Sequence, residues 1–243
     1  MQDKIMEIMR KRIPDDGWHI WGFADLSGLL HERFEGFSHG ITIGKRLDDT
    51  IIDSVVKGPN VQYYDLYKQT YAYLADLVKV LAEDLESLGL KHLVIWPFSS
   101  LDLDRSPDYS RTMRHRFSHK MVGTRAGLGW IGKTDLFVSR KFGPRLRLAS
   151  LLVDYPLKPL ASPIVKSRCG KCNICVEACP AGAASGMLWN TKVDRDEYYD
   201  AFKCSKKARE LSRSFADPNH EICGICVSVC PVGKKGLPES KRS

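Results

Sequence analysis

Apolar and polar positions follow two different periods over the first 155 residues. Residues 18 to 24, Trp-His-Ile-Trp-Gly-Phe-Ala, predict a strand rich in aromatic side chains, and Gly40-Ile-Thr-Ile-Gly44 predicts a second that ends in a turn. Leu74, Leu77, Val78, Leu81, Leu85 and Leu88 then recur mostly at steps of three and four with charged residues between them, the pattern of one helix face turned to a core. Gly89 stands at the stop position of that helix, and Leu93-Val-Ile-Trp96 before Pro97 predicts a strand after a short loop. Residues 99 to 118 are polar and basic with Pro107 among them, which predicts a loop; a polar stretch this long in a compact domain is often functional. Leu146 to Val153 is the last predicted strand, and Pro156, Pro159 and Pro163 stiffen the next stretch into a linker, with a boundary expected between 155 and 165. The pattern predicts an α/β domain over residues 1–158 and a smaller, cysteine-bearing domain over 159–243.

Composition supports a folded chain: 243 residues with 43% hydrophobic side chains suffice for one medium domain and a small one. The start, Met-Gln-Asp-Lys-Ile-Met-Glu, has no apolar segment of the secretory kind, and no apolar run reaches the roughly eighteen residues of a membrane span. The expectation is a soluble protein of a reducing, cytoplasmic compartment with no membrane partner. Charge is uneven within the net +8: residues 1–104 carry 11 basic and 17 acidic side chains, whereas residues 105–147 carry 11 and 2. A positive zone of that kind attracts a nucleic acid, an acidic electron-donor protein or a phosphate-bearing cofactor, unless it is only a solvated face.

All eight cysteines lie in the last third: Cys169, Cys172, Cys175 and Cys179, then Cys204, Cys223, Cys226 and Cys230, with a proline after Cys179 and after Cys230. The first set reads C-x-x-C-x-x-C-x-x-x-C-P, the run that wraps a cubane iron-sulfur cluster and sends its fourth cysteine to a second cluster. Three thiolates three residues apart cap three corners of a small cube, and the fourth corner faces away. Crossing then pairs Cys169, Cys172, Cys175 with Cys230, and Cys204, Cys223, Cys226 with Cys179. The second set departs from the run, because eighteen residues separate Cys204 from Cys223. Two four-cysteine zinc sites or a disulfide framework would use the same count; zinc usually draws on two separated C-x-x-C pairs, and dense disulfides belong to secreted chains.

Residues 125 to 133 read Arg-Ala-Gly-Leu-Gly-Trp-Ile-Gly-Lys. Three glycines in six residues suit a loop pressed against a flat ligand. The spacing is not that of a phosphate-binding loop, and the strand and acidic partner of a dinucleotide site are missing. Set about forty residues before a crossed double cluster, however, Ala126-Gly-Leu-Gly-Trp-Ile-Gly-Lys133 resembles the epoxyqueuosine reductase family, and with it the core of the corrinoid-dependent reductive dehalogenases. The resemblance extends through Gly22-Phe-Ala-Asp-Leu26, Ile43-Gly-Lys-Arg-Leu-Asp-Asp49, Ser118-His-Lys120 and Phe142-Gly-Pro-Arg-Leu-Arg147.

That resemblance implies a nitroreductase-like α/β domain holding a corrinoid (cobalamin), joined to a ferredoxin-like domain whose two 4Fe-4S clusters feed it electrons. Arg125, Gly127, Gly129, Trp130, Ile131, Gly132 and Lys133 are then the candidate cofactor contacts, with His119 and His115 as candidate proton donors. Two departures bear on the reaction. The family's catalytic aspartate falls some dozen residues before the glycine motif, where Thr112-Met-Arg-His-Arg-Phe117 has no carboxylate. The family also commonly continues into helical segments that help grip tRNA, whereas this chain ends 13 residues after Cys230. The leading expectation is therefore an iron-sulfur reductase of cob(II)alamin or a corrinoid protein, supplied by a low-potential electron-donor protein. Its alternatives are a cobalamin-dependent epoxyqueuosine reductase acting on tRNA, and a ferredoxin-like carrier with a flavin in place of the corrinoid.

Overall fold

The computed structural model describes residues 1–97, 107–218 and 220–234. In chain order its elements are α1 (Gln2–Arg12), β1 (His19–Asp25), a 3-10 turn (Glu32–Phe34), β2 (His39–Arg46), α2 (Asp49–Ser54), α3 (Val61–Ser87), β3 (His92–Ile95), α4 (Tyr109–Thr112), α5 (His119–Arg125), β4 (Gly129–Ile131), β5 (Phe137–Ser139) and β6 (Leu146–Val153), then α6 (Ile174–Glu177), α7 (Arg195–Tyr198), α8 (Ala201–Ser212) and α9 (Ile225–Val229). They form two compact units. The first comprises Met1–Arg46, Thr70–Leu128 and Arg147–Ile164; the second comprises Leu47–Gln69, Gly129–Leu146 and the chain from Val165 onward.

The first unit is built on a four-stranded sheet in the order β1-β2-β6-β3, with β1 antiparallel to β2 and β3 antiparallel to β6. Both faces are covered, so the strands read as nearly continuous apolar runs. On one face Phe23, Ile41, Ile43, Ala149, Leu151 and Val153 pack with Ile5 and Met9 of α1 and with Leu74, Val78, Leu81 and Leu85 of α3. On the other, Ala24 and Leu152 pack with Val122 of α5, Ala126 and Phe117. Neighbours such as Leu151 and Leu152 fall on opposite faces because successive strand residues point to opposite sides.

The expected strands are present. The helix starts at Val61, upstream of the Leu74 where its apolar rhythm becomes regular. Helix α1 was not among the expected elements, although Ile5, Met9 and Ile13 at four-residue steps are its buried stripe. Of the expected loop over 99–118, residues 99–106 lie outside the described residues; the rest holds the single turn α4 and Ser118, whose hydroxyl caps α5 by accepting from the Met121 N–H. No helix among the described residues is long and apolar enough to cross a membrane.

The second unit has its own core, in which Leu47, Ile52, Val55, Tyr63 and Tyr64 pack with Ile222 and Val227. The hairpin β4–β5 belongs to it. So does Arg145, which is wholly buried. Its guanidinium donates to Asp49 Oδ1 at 3.2 Å, to Asp53 Oδ1 at 2.7 Å and to the Ser228 carbonyl of α9 at 2.9 Å.

Candidate metal centre

All eight cysteines are reduced, partly buried and within the second unit. Each set ends in a similar stretch: Cys172-Asn-Ile-Cys-Val-Glu-Ala-Cys-Pro180 and Cys223-Gly-Ile-Cys-Val-Ser-Val-Cys-Pro231. The Ile-Cys-Val of the first forms the start of α6, and that of the second the start of α9; these two short helices pack on each other.

The thiols sort by their mutual influence. Burial pushes Cys230 up to about 12, and Cys175, Cys169 and Cys172 push it in the same direction. Burial likewise raises Cys204 and Cys223, each pushed further by Cys179. Cys230 thus feels Cys169, Cys172 and Cys175, and Cys179 is felt by Cys204 and Cys223. Cys175 and Cys226 couple across the groups: Cys226 is raised first by burial, then by Cys223, Cys204 and Cys175. A lone zinc ion would need sulfurs at about 2.3 Å from one point. No group of three His, Cys, Asp or Glu side chains among the described residues is arranged to hold one ion. Two clusters of four sulfurs, each spread over the corners of a cube, match the donor set.

The chain supplies N–H and O–H groups to these sulfurs, as a negatively charged thiolate cluster requires. The Trp130 indole N–H donates to Cys169 Sγ at 3.4 Å, and the Ala183 amide to Cys179 Sγ at 3.5 Å. The backbone N–H groups of Ile225 and Val232 and the Tyr199 hydroxyl work against the rise of Cys223, Cys230 and Cys204 respectively. The Thr134 hydroxyl works against the rise that burial gives Cys175 and Cys226. Lys133 donates to Asn173 Oδ1 at 2.6 Å, inside the first cysteine loop, and the Tyr198 hydroxyl donates to Asp135 Oδ1 at 2.8 Å.

The glycine-rich segment is therefore divided. Arg125 and Gly127 lie in the first unit; Arg125 Nε donates to the Asp25 carbonyl at 3.3 Å, and a methyl added at Gly127 would stand 2.6 Å from the Ser162 carbonyl oxygen. Gly129, Trp130, Ile131, Gly132 and Lys133 lie in the second unit; Trp130 and Ile131 are each 5% exposed and Lys133 is 4% exposed. A methyl at Gly129 would meet the β5 backbone, and one at Gly132 would stand 3.7 Å from Cys169 Sγ. The atoms that methyls at Gly127, Gly129 and Gly132 would meet are the chain's own.

The candidate proton donors are placed in the first unit. His119 Nε2 donates to the Trp96 carbonyl at 3.1 Å, and its Nδ1 meets Ser150 Oγ at 3.0 Å. Desolvation pushes His119 down to about 4, against the pull of the Trp96 carbonyl, so the ring is neutral at pH 7. His115 is exposed and its ring lies 4.8 Å from that of Tyr109. The dense basic run of 105–147 does not form one solvated face, since Arg145 and Lys133 are buried and partnered. Sequence reading missed Thr134, Asn173, Tyr198 and Tyr199; only their closeness to Lys133 and to the cysteines could have marked them.

Residues 168–233 match the 4Fe-4S double cluster binding domain family. The chain is 32% identical over 187 residues to the epoxyqueuosine reductase of Aliivibrio fischeri, covering 73% of this chain and 44% of that protein. It is 42% identical over 127 residues to that of Pseudomonas aeruginosa, covering 49% and 32%. It thus spans less than half the length of these relatives. Among solved structures it resembles epoxyqueuosine reductase from Bacillus subtilis (TM-score 0.59, 17% identity, 97% of this chain and 65% of that one). It also resembles a catabolic reductive dehalogenase in complex with 3-bromo-4-hydroxybenzoic acid (TM-score 0.64, 15% identity, 92% and 31%). In sequence and in fold, this chain is a relative of the epoxyqueuosine reductases that carries a 4Fe-4S double cluster binding domain.

Proposed function

We propose that this chain is an iron-sulfur reductase of the epoxyqueuosine reductase type, with one 4Fe-4S cluster on Cys169, Cys172, Cys175 and Cys230 and the other on Cys179, Cys204, Cys223 and Cys226. What supports this reading is that residues 168–233 match the 4Fe-4S double cluster binding domain family and that α6 and α9, which carry Cys175 and Cys226, pack on each other. Buried thiols with raised pKa values hold a charge only when a cation compensates it, and an iron-sulfur core supplies that compensation. The N–H and O–H donors around the sulfurs then set the potential at which single electrons pass.

The corrinoid enters by likeness: a related dehalogenase structure, at TM-score 0.64 and 15% identity, is described as suggesting a mechanism for B12-dependent dehalogenation. A corrinoid supplies low-potential chemistry that protein side chains lack. The substrate reading takes the same route, because an epoxyqueuosine reductase with 17% identity has been solved with an epoxyqueuosine-modified tRNA stem loop.

The test is anaerobic reconstitution with iron, sulfide and hydroxocobalamin, then incubation under a low-potential reductant with tRNA bearing epoxyqueuosine. Uptake of about eight irons per chain and conversion of the nucleoside are expected. A loaded protein that leaves the nucleoside unchanged and shows no salt-sensitive tRNA affinity would overturn the substrate. A second reading, reduction of cob(II)alamin as substrate, is favoured by one observation: Thr112–Phe117 offers no carboxylate, and adding one electron to cobalt needs no proton donor, whereas opening an epoxide does.

A further inference from the structure

Apolar side chains gather in solvent beside the first cysteine loop, whose Gly170, Lys171, Asn173 and Ile174 are exposed. Lys166 pairs with Asn190 in an isolated bridge, with the Ser167 N–H on the Trp189 carbonyl at 2.7 Å and the Thr191 N–H on the Val165 carbonyl at 3.1 Å. Gly186 runs against Asn173: an added methyl would stand 3.5 Å from Asn173 Oδ1, the atom that Lys133 holds at 2.6 Å. These contacts bring Val165, Ile174, Met187 and Leu188 into one neighbourhood, where they are 46, 47, 44 and 40% exposed. A single exposed apolar side chain needs no explanation, but four gathered around one loop mark a surface that meets something. Its rim is basic. Lys166, Arg168, Lys171 and Lys192 are exposed, and Glu177 is the one acidic side chain between residues 165 and 192. On α8, which carries Cys204, three basic side chains are instead matched by carboxylates: Lys203 by Asp200, Lys207 by Glu210 and Arg209 by Glu221.

Position decides the kind of partner. Arg168, Lys171 and Ile174 are the chain neighbours of Cys169, Cys172 and Cys175, so a protein seated on this surface comes beside three ligands of one cluster. We propose that it docks an acidic, low-potential one-electron carrier protein, with the carrier's carboxylates on the basic rim and its apolar centre on Ile174, Met187 and Leu188. One electron leaves the reduced carrier and enters the cluster of Cys169, Cys172 and Cys175. The carrier is oxidised by that one electron, and no bond forms or breaks. Opposite charges steer and orient the encounter, while the apolar centre keeps water out of the short path to the sulfurs. A patch of a few side chains suffices, because redox encounters use small interfaces that release the partner quickly.

The inference rests on the two-cluster reading, and the experiment separates their failures. Wild-type protein is reconstituted anaerobically and mixed in stopped flow with an acidic flavodoxin in its hydroquinone form, while formation of the flavin semiquinone is followed at low and high salt. Dithionite serves as a reductant that needs no docking. If the wild type takes up no clusters, the two-cluster reading fails and the inference with it. With clusters present, the double variant Lys166→Glu, Lys192→Glu should slow reduction by flavodoxin about tenfold at low salt. The difference should shrink at high salt, where the charges are screened, and the dithionite rate should stay at the wild-type value. Leu188→Gln should slow flavodoxin at both salt concentrations. If the glutamate pair loses its clusters, Lys166→Gln with Lys192→Gln decides, with a smaller slowing expected. No reduction of the wild type by flavodoxin, wild-type flavodoxin rates in the charge variants, or equal slowing with dithionite would overturn the inference alone. So would tRNA that blocks reduction and binds these variants more weakly, which makes the surface an RNA site, or a wild-type dimer that the variants convert to monomers.

Discussion

Arg145 and Asp53 meet at 2.7 Å within the second unit, the guanidinium wholly buried and the carboxylate partly exposed. Burial alone would raise the Asp53 carboxyl; the hydrogen bonds and charges of Arg145 and Lys234 together outweigh it and hold the group below the usual carboxylate range. The same guanidinium holds the Ser228 carbonyl, two residues before Cys230. Arg145→Ala removes the ion pair and the tether of α9 together. It should destabilise the unit by about 3 kcal/mol in urea unfolding of the holo protein, and speed the loss of iron to a chelator. Wild-type rates of iron loss would show that the tether does not support the centre.

The thiol grouping yields a pairing test. Cys230→Ala and Cys169→Ala should abolish the same one of two reduced-cluster signals, and Cys204→Ala the other, each leaving about four irons per chain. If Cys230→Ala removes the signal that Cys204→Ala removes, the crossed assignment is wrong.

Gly143 follows Phe142 with φ of 58°, and an added methyl would run into the Val232 carbonyl, two residues after Cys230. Both the left-handed backbone and the contact exclude a side chain, and backbone cannot swing aside as a side-chain tip can. Gly143→Ala should cost about 3 kcal/mol, read as a lower urea midpoint. A cost under about 0.5 kcal/mol would show that the loop shifts freely.

His119 gives the first unit a pH dependence. Its folded pKa of about 4 lies below the ordinary histidine value, so the unfolded chain binds the extra proton first as pH falls. The stability contributed by the neutral ring is fully present above about pH 6.5, declines as pH falls toward 4, and is lost below that. Between pH 7.5 and pH 5, wild type should lose about 1 to 2 kcal/mol more than His119→Gln; comparison of the two proteins cancels the acid lability of the clusters. Parallel pH curves would show that the ring accepts a proton in the folded state.

The cysteine order, with prolines after Cys179 and Cys230, was enough to name two 4Fe-4S clusters, because three-residue spacing gathers neighbouring thiols around one cluster. Period-two and period-four apolar rhythms likewise marked β1, β2, β6 and the second half of α3, since a face turned to a core must repeat with the element's own geometry. What the sequence could not show was ownership. Leu47–Gln69 and Gly129–Leu146 form one compact unit with the cysteines, far from them along the chain, and only long-range packing decides that. A buried arginine reads in one dimension as another member of a basic run, yet Arg145 is wholly enclosed by Asp49, Asp53 and the Ser228 carbonyl. Thr134 carries no motif at all. Its neighbours Lys133 and Asp135 are anchored to Asn173 and Tyr198, residues 40 and 63 positions away, which only the fold brings close.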